Sequence, residues 1–126
     1  MRYAILSDVH GNLEALRAVL ADAVPRTDGV LCLGDSVGYG ADPGACVELL
    51  DARARAIVAG NHEHGVAGLL DLDWFNRWAR AAYGVWDVEA GRVELRRVTY
   101  DVQAARDKIV AAGLPRFLAD RLATGT

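Results

Sequence analysis

Asp8 and His10 stand two residues apart in "ILSDVHGN", Asp35 follows Gly34 in "CLGDSVGYG", and Asn61, His62, Glu63 and His64 run without a gap in "AGNHEHG". Carboxylate, imidazole and amide donors in this mixture suit a first-row divalent metal such as Mn, Fe, Co, Ni or Zn, whereas calcium prefers oxygen alone. On extended backbone Asp8 and His10 project to the same side. Asp35 has two carboxylate oxygens and could bridge two cations, and Asn61 offers a neutral amide oxygen. Gly34 and Gly60 let the backbone come close to a bound group. Each group alone also has a plainer role: Asp8 and Asp35 as turn formers, His10 as a hydrogen-bonded structural histidine. The metal reading needs the groups to meet.

The elements around them bring them together. Continuous apolar runs at Tyr3–Leu6, Gly29–Leu33 and Ala56–Ala59 read as parallel strands covered on both faces. Between them, Leu13, Leu16 and Leu20 recur at helical spacing behind Asn12 as N-cap, and Asp42 and Pro43 open a second helix as N-cap and first residue. The result is a βαβαβ unit with right-handed crossovers. Each strand ends at one of the candidate donors, and the carboxyl ends of parallel strands share one edge, where open α/β sheets bind ligands. The helix opening at Asn12 turns backbone N–H groups and the positive end of its dipole to that edge, which favours an anion. Further on, "HGVAGLLDLDWFNRWARAA" reads as a helix with a packing stripe of Leu70, Trp74 and Trp78. Val85, Trp86 and Val88 before "EAG", and Val93, Leu95 and Val98 after it, read as a hairpin. Asp101 caps a last helix that runs through Ala112 and ends at Gly113 and Pro115. The fold class expected is α/β, with a βαβαβ start, a late hairpin and a C-terminal helix.

The three motifs together, Asp8–His10 as "DVH", Gly34–Asp35 as "GD" and Gly60–Glu63 as "GNHE", each after a strand, resemble the calcineurin-like metallophosphoesterases. "AILSDVHGNLEAL" and "LCLGDSVGYGADP" resemble the bacterial phosphodiesterase branch, and "GRVELRRVTYDVQAA" and "AGLPRFLADRL" are similar to the family's closing hairpin and helix. The resemblance implies a metal-dependent phosphoesterase, and within that class a phosphodiesterase. It implies that Asp8, His10 and Asp35 hold a first metal ion, that Asp35 and Asn61 hold a second, and that His62 is catalytic, contacting the phosphate and stabilising or protonating the leaving oxygen. It also implies a two-sheet sandwich flanked by helices, of which this chain would build a partial version. One domain over 1–126 is expected, with a metal-ligand half at 1–76 and the hairpin and helix at 80–126. Family members carry later ligands, an isolated histidine and a Gly-His-x-His stretch, and this chain has no histidine after His64. The second ion would then keep only Asp35 and Asn61, so that one ion or two are held here. His64 is read as a loop residue near the site mouth or as a replacement ligand. Glu63 is expected to face solvent or to orient a ligand histidine. Tyr39 either lines the pocket or packs in its turn.

Composition narrows the alternatives. A net charge of -3 argues against a broad nucleic-acid surface, and no apolar run is long enough to cross a membrane. The N-terminus enters a strand pattern at once, without a signal-type apolar region. Cys32 and Cys46, both in apolar settings, read as buried reduced thiols in a cytoplasmic protein. The arginines of "DARARA" and "RVELRRV" read as solvated faces. A phosphoacceptor receiver would need an acidic pair at the first strand and a late-strand lysine, but Asp8 is unpaired in sequence and Lys108 lies in a helix pattern. The substrate expected is a phosphoester small molecule or nucleotide. The other reading is a shortened, catalytically impaired relative serving as a protein-interaction module. In either case a missing segment would expose apolar area, so that a second chain covers it as a homo-oligomer or the fold is marginal.

Overall fold

A computed structural model describes residues 1–68 and 82–124. The chain runs β1 (Arg2–Leu6), α1 (Leu13–Ala23), a 3₁₀ turn (Val24–Arg26), β2 (Gly29–Cys32), α2 (Pro43–Arg53), β3 (Ala54–Ile57), α3 (Asn61–Val66), β4 (Ala82–Asp87), β5 (Arg92–Arg97), α4 (Val102–Ala111) and α5 (Arg116–Thr124). The strands form one sheet in the order β3-β2-β1-β4-β5. β1 pairs parallel with β2, and β2 with β3, while β4 and β5 join antiparallel beyond β1. The expected α/β class and its late hairpin are therefore present.

Strand alternation divides the sheet into two faces. Ala4, Leu6, Val30, Cys32, Tyr83 and Val85 form one buried cluster with Leu13, Leu16, Val19, Leu20 and Ala23 of α1 and with Cys46 and Leu50 of α2. The stripe expected on α1 is thus its core face, and Asn12 caps it by accepting the Ala15 N–H at 3.0 Å. Burial pushes the Cys46 thiol up to about 12, as suits an inert core residue. On the other face Tyr3, Ile5 and Leu31 are half-buried, and Trp86, Val93 and Leu95 are exposed.

Several expectations need correction. β3 begins two residues early, at Ala54, and is an edge strand whose Arg55, Ala56 and Ile57 are exposed, so it is not covered on both faces. Arg55 lies in that strand, with its guanidinium 5.9 Å from the Tyr3 ring centroid. Asp42 sits at the α2 N-cap without a capping hydrogen bond; its carboxylate instead takes the Lys108 ammonium at 2.8 Å, and Lys108 also reaches Glu14 at 2.6 Å. The helix expected from His64 onward stops at Val66, and its stripe of Leu70, Trp74 and Trp78 lies outside the described residues. Asp101 caps α4 as expected, but the chain then turns at Gly113 into α5, which packs back through Leu118 and Ala119 onto Ile109.

The hairpin is tied to α1 through Asp22. Its carboxylate accepts the Tyr83 hydroxyl at 2.8 Å, Arg96 Nε at 3.2 Å and Arg26 Nη2 at 2.9 Å. Arg96 of "RVELRRV" is thus engaged in an ion pair instead of simply solvated. These bonds hold Asp22 below the ordinary carboxylate range, the Tyr83 hydroxyl most, then Arg26, with Arg96 adding less than burial takes away. A carboxyl depressed by folding stabilises above its unfolded pKa, and the stabilisation is lost as pH falls through the folded value. Chemical denaturation of Asp22→Asn and the parent across pH 2–7 should therefore show the parent more stable near neutrality. The gap should close as pH drops below about 4.

Candidate metal and phosphate site

Beyond the strand ends the chain continues as loops that pair with one another. Asp8 N–H donates to Gly34 O at 3.2 Å, His10 N–H to Asp35 O at 2.9 Å and Gly11 N–H to Ser36 O at 2.9 Å; in return Gly40 N–H donates to His10 O at 2.7 Å. The β1–α1 and β2–α2 loops thus extend the β1–β2 ladder as irregular backbone. Asp8, His10 and Asp35 each sit at positive φ, at 58°, 50° and 56°. Aspartate and histidine tolerate this region better than most side chains, yet each such position costs on the order of 1 kcal/mol. Gly34, at φ 97°, lies where a Cβ would collide with Gly60 N, and a Cβ on Gly60 would collide with the Asp35 carboxylate. The close approach of the second and third loops therefore requires glycine in both.

Two pairs of donors result. His10 is buried, and its Nδ1 lies 3.1 Å from Val37 O. A carbonyl only accepts, so Nδ1 donates to it, which turns Nε2 toward Asp8 Oδ1, 3.5 Å away. Two lone-pair donors at that separation form a suitable bite for one cation, and the Val37 bond fixes the ring as metal-binding histidines require. In the second pair, the Asn61 amide lies 3.0 and 3.1 Å from the two Asp35 carboxylate oxygens. With its nitrogen toward Asp35 the amide donates two hydrogen bonds; with its oxygen toward Asp35 three oxygens converge, an arrangement that a cation satisfies. Asp35 Oδ1 also accepts the His62 N–H at 2.8 Å. The two pairs do not fuse: among the described residues no three His, Cys, Asp or Glu side chains are close enough to hold a metal ion. His64 is exposed on α3.

His62 lies beside the first pair, its ring 4.4 Å from that of His10. Burial, followed by the neighbouring His10, holds its pKa below the ordinary histidine value, so the neutral imidazole is favoured. Near the same pair a cleft is lined by Asn12, Tyr39, Tyr100, Arg121 and Leu122.

Glu63 neither faces solvent nor orients a histidine. Its Oε2 accepts Asp35 N–H at 2.7 Å and Gly60 N–H at 2.8 Å, and its Oε1 accepts the N–H groups of Ser36 and Val37. One carboxylate thus clamps the turn that carries Asp35 onto the turn that carries Asn61. Burial alone would raise its pKa, but the bonds from Gly60, Asp35 and Ser36 outweigh burial and the net shift is downward. Its spacing is legible in hindsight: a glutamate three residues after a helix N-cap is the capping-box position.

The family model for calcineurin-like phosphoesterases matches residues 1–117. The chain belongs to the calcineurin-like phosphoesterase family. An uncharacterized protein of Methanocaldococcus jannaschii is 50% identical over 80 residues, which are 63% of this chain and 33% of that protein. The chain thus spans about a third of the length of the curated relative it matches. A crystal structure of a metallophosphoesterase from Sphaerobacter thermophilus superposes with a TM-score of 0.86, covering 100% of this chain and 99% of that one at 24% identity, and so shares the fold. Among the described residues no helix of this phosphoesterase-family chain is long and apolar enough to cross a membrane.

Replacing Glu63 by glutamine keeps the shape of the clamp but turns an NH₂ group toward backbone donors. Glu63→Gln should cost about 2–3 kcal/mol, the range for charge-assisted bonds left unmade. Urea denaturation of the two proteins measures it, and a loss under 0.5 kcal/mol would mean that the loops hold without the carboxylate.

Proposed function

We propose that the protein is a metal-dependent phosphodiesterase acting on a phosphoester small molecule or nucleotide. What supports this reading is that Asp8 with His10, and Asp35 with Asn61, lie beside His62, whose neutral imidazole is favoured by burial and by the neighbouring His10. Asp8 and His10 would hold one divalent ion, Mn, Fe, Co, Ni or Zn by donor type, and Asp35, which stands apart from them in this structure, would join by a shift of its loop toward that pair. Asp35 and Asn61 would hold a second ion more weakly, because they supply only two side chains. Bound there, such ions would supply Lewis-acid activation of water and neutralisation of phosphoryl charge. His62, kept neutral, donates an N–H hydrogen bond to a phosphate oxygen; once the anion raises its pKa it can also protonate the leaving oxygen. The cleft walled by Tyr39, Tyr100 and Leu122 takes the organic part of the ester. Residues 1–126 form one domain in this reading, the first half supplying donors and the second bracing them. We read the protein as cytoplasmic, a reading that its two buried free cysteines support.

A second reading, an interaction module with impaired catalysis, is favoured by the lack of a three-ligand group among the described residues. It is also favoured by the exposed Val93 and Leu95 on β5, which would face a partner or a second copy. One experiment separates the two. With bis(p-nitrophenyl) phosphate and added Mn²⁺, the protein should turn over, and Asp35→Asn, which keeps the acceptor for His62 N–H, should lose about a hundredfold or more in kcat/KM. Turnover equal in the two proteins would reject the catalytic reading. One weakly bound metal per chain by calorimetry, together with no turnover, would favour the module.

A further inference from the structure

Tyr39 stands at φ 49°, in the left-handed region, within "GYG". Asparagine or glycine would fill such a turn at less cost, whereas a bulky ring there costs on the order of 1–2 kcal/mol. The ring is therefore retained for what it touches. It packs edge-on against His10 with centroids 4.8 Å apart at 64°, and against His62 at 4.8 Å and 67°. With the 4.4 Å contact between the two imidazoles this makes a closed three-ring cluster. The same loop also approaches His62 closely at Gly38, where a Cβ would collide with His62 Nδ1. The Arg121 guanidinium of α5 lies 5.4 Å from the Tyr39 ring centroid, and Tyr39 also packs on Ile109, Leu118 and Ala119 of the helical pair α4–α5. Its hydroxyl is shielded from solvent and has no hydrogen-bond partner among the described residues.

We propose that Tyr39 is a positioning residue whose ring, braced by α4 and α5, sets the planes of His10 and His62 together. This inference rests on the phosphoesterase reading for its catalytic consequence, though not for its geometry. A planar ring is what the contacts require, since aromatic edges and faces fix relative orientation in a way that a flexible aliphatic chain does not. The hydroxyl contributes nothing to them, and as a buried donor without a partner its removal is neutral or stabilising. Through Tyr39 the C-terminal helices thereby bear on both histidines, in addition to walling the cleft.

The test compares Tyr39→Leu with Tyr39→Phe in the full chain, by two readouts. In metal-free protein, imidazole ¹H–¹⁵N spectra should give one set of His10 and His62 signals for the parent and for Tyr39→Phe, but exchange-broadened or doubled signals for Tyr39→Leu. With Mn²⁺ and bis(p-nitrophenyl) phosphate, Tyr39→Leu should lose about 10- to 100-fold in kcat with KM little changed, because misoriented groups cost rate more than binding. Tyr39→Phe should recover the parent value. Sharp single histidine signals in Tyr39→Leu would overturn the proposal. So would a kcat that falls as far in Tyr39→Phe as in Tyr39→Leu, since the hydroxyl would then be the working group. If the parent shows no turnover, the phosphoesterase reading fails, while the spectra still decide the role of the ring; should Tyr39→Leu not fold, His62→Ala in the parent background gives the second spectral arm, and an unaltered His10 signal there would also overturn the cluster.

Discussion

The site depends on a single electrostatic constraint: one carboxylate, Glu63, accepts backbone N–H groups from two loops at once. Consecutive N–H groups pointing into one concavity form an anion-binding nest, and here the anion belongs to the chain itself. The clamp matters because the backbone it holds is not relaxed. Asp8, His10 and Asp35 all occupy positive φ, and their strain persists only where surrounding bonds over-determine the path. Ladder-like bonds between the first two loops supply half of that determination, and Glu63 supplies the connection to the third. The same residues could not be held this way by strand geometry alone, because extended strands do not pass through the left-handed conformations that Asp8, His10 and Asp35 adopt.

This explains which parts of the molecule were legible in the sequence. Strand ends were readable to within two residues because apolar runs stop at Ser7, Gly34 and Gly60, and α1 because its leucines repeat at helical spacing. The hairpin was readable because alternation and a glycine turn are local signals. The role of Glu63 was not, although its spacing fits a capping box, because its partners at Asp35–Val37 are set by tertiary approach and not by neighbours in sequence. Asp42 misled for the same reason. As the residue before Pro43 it reads as a cap, yet Lys108 lies 66 positions away in sequence and outcompetes the local N–H groups for its carboxylate. β3 reads as buried because Ala56, Ile57 and Val58 are apolar, but burial depends on what lies beyond the edge of the sheet, which a strand's own composition does not encode.

The second half of the chain is bound to the site by polar contacts at three separate levels. Tyr100 accepts the Asn12 amide at 3.2 Å beside the α1 N-terminus. Lys108 joins Glu14 of α1 to Asp42 at the start of α2, and Arg121 lies over Tyr39. Partly exposed ion pairs such as those of Lys108 contribute modest stability singly, on the order of 1 kcal/mol. Their placement is more informative than their strength, since each falls on a loop or helix start that leads directly into a donor residue. Helices α4 and α5 restrict the loops from outside while Glu63 restricts them from within, and α5 also lends Arg121 and Leu122 to the wall of the cleft. Candidate donors that form two pairs instead of one closed cage have more need of such bracing, because among the described residues no third His, Cys, Asp or Glu side chain closes on either pair. The exposed Val93 and Leu95 mark where that bracing ends, on the face of the sheet remote from α1 and α2.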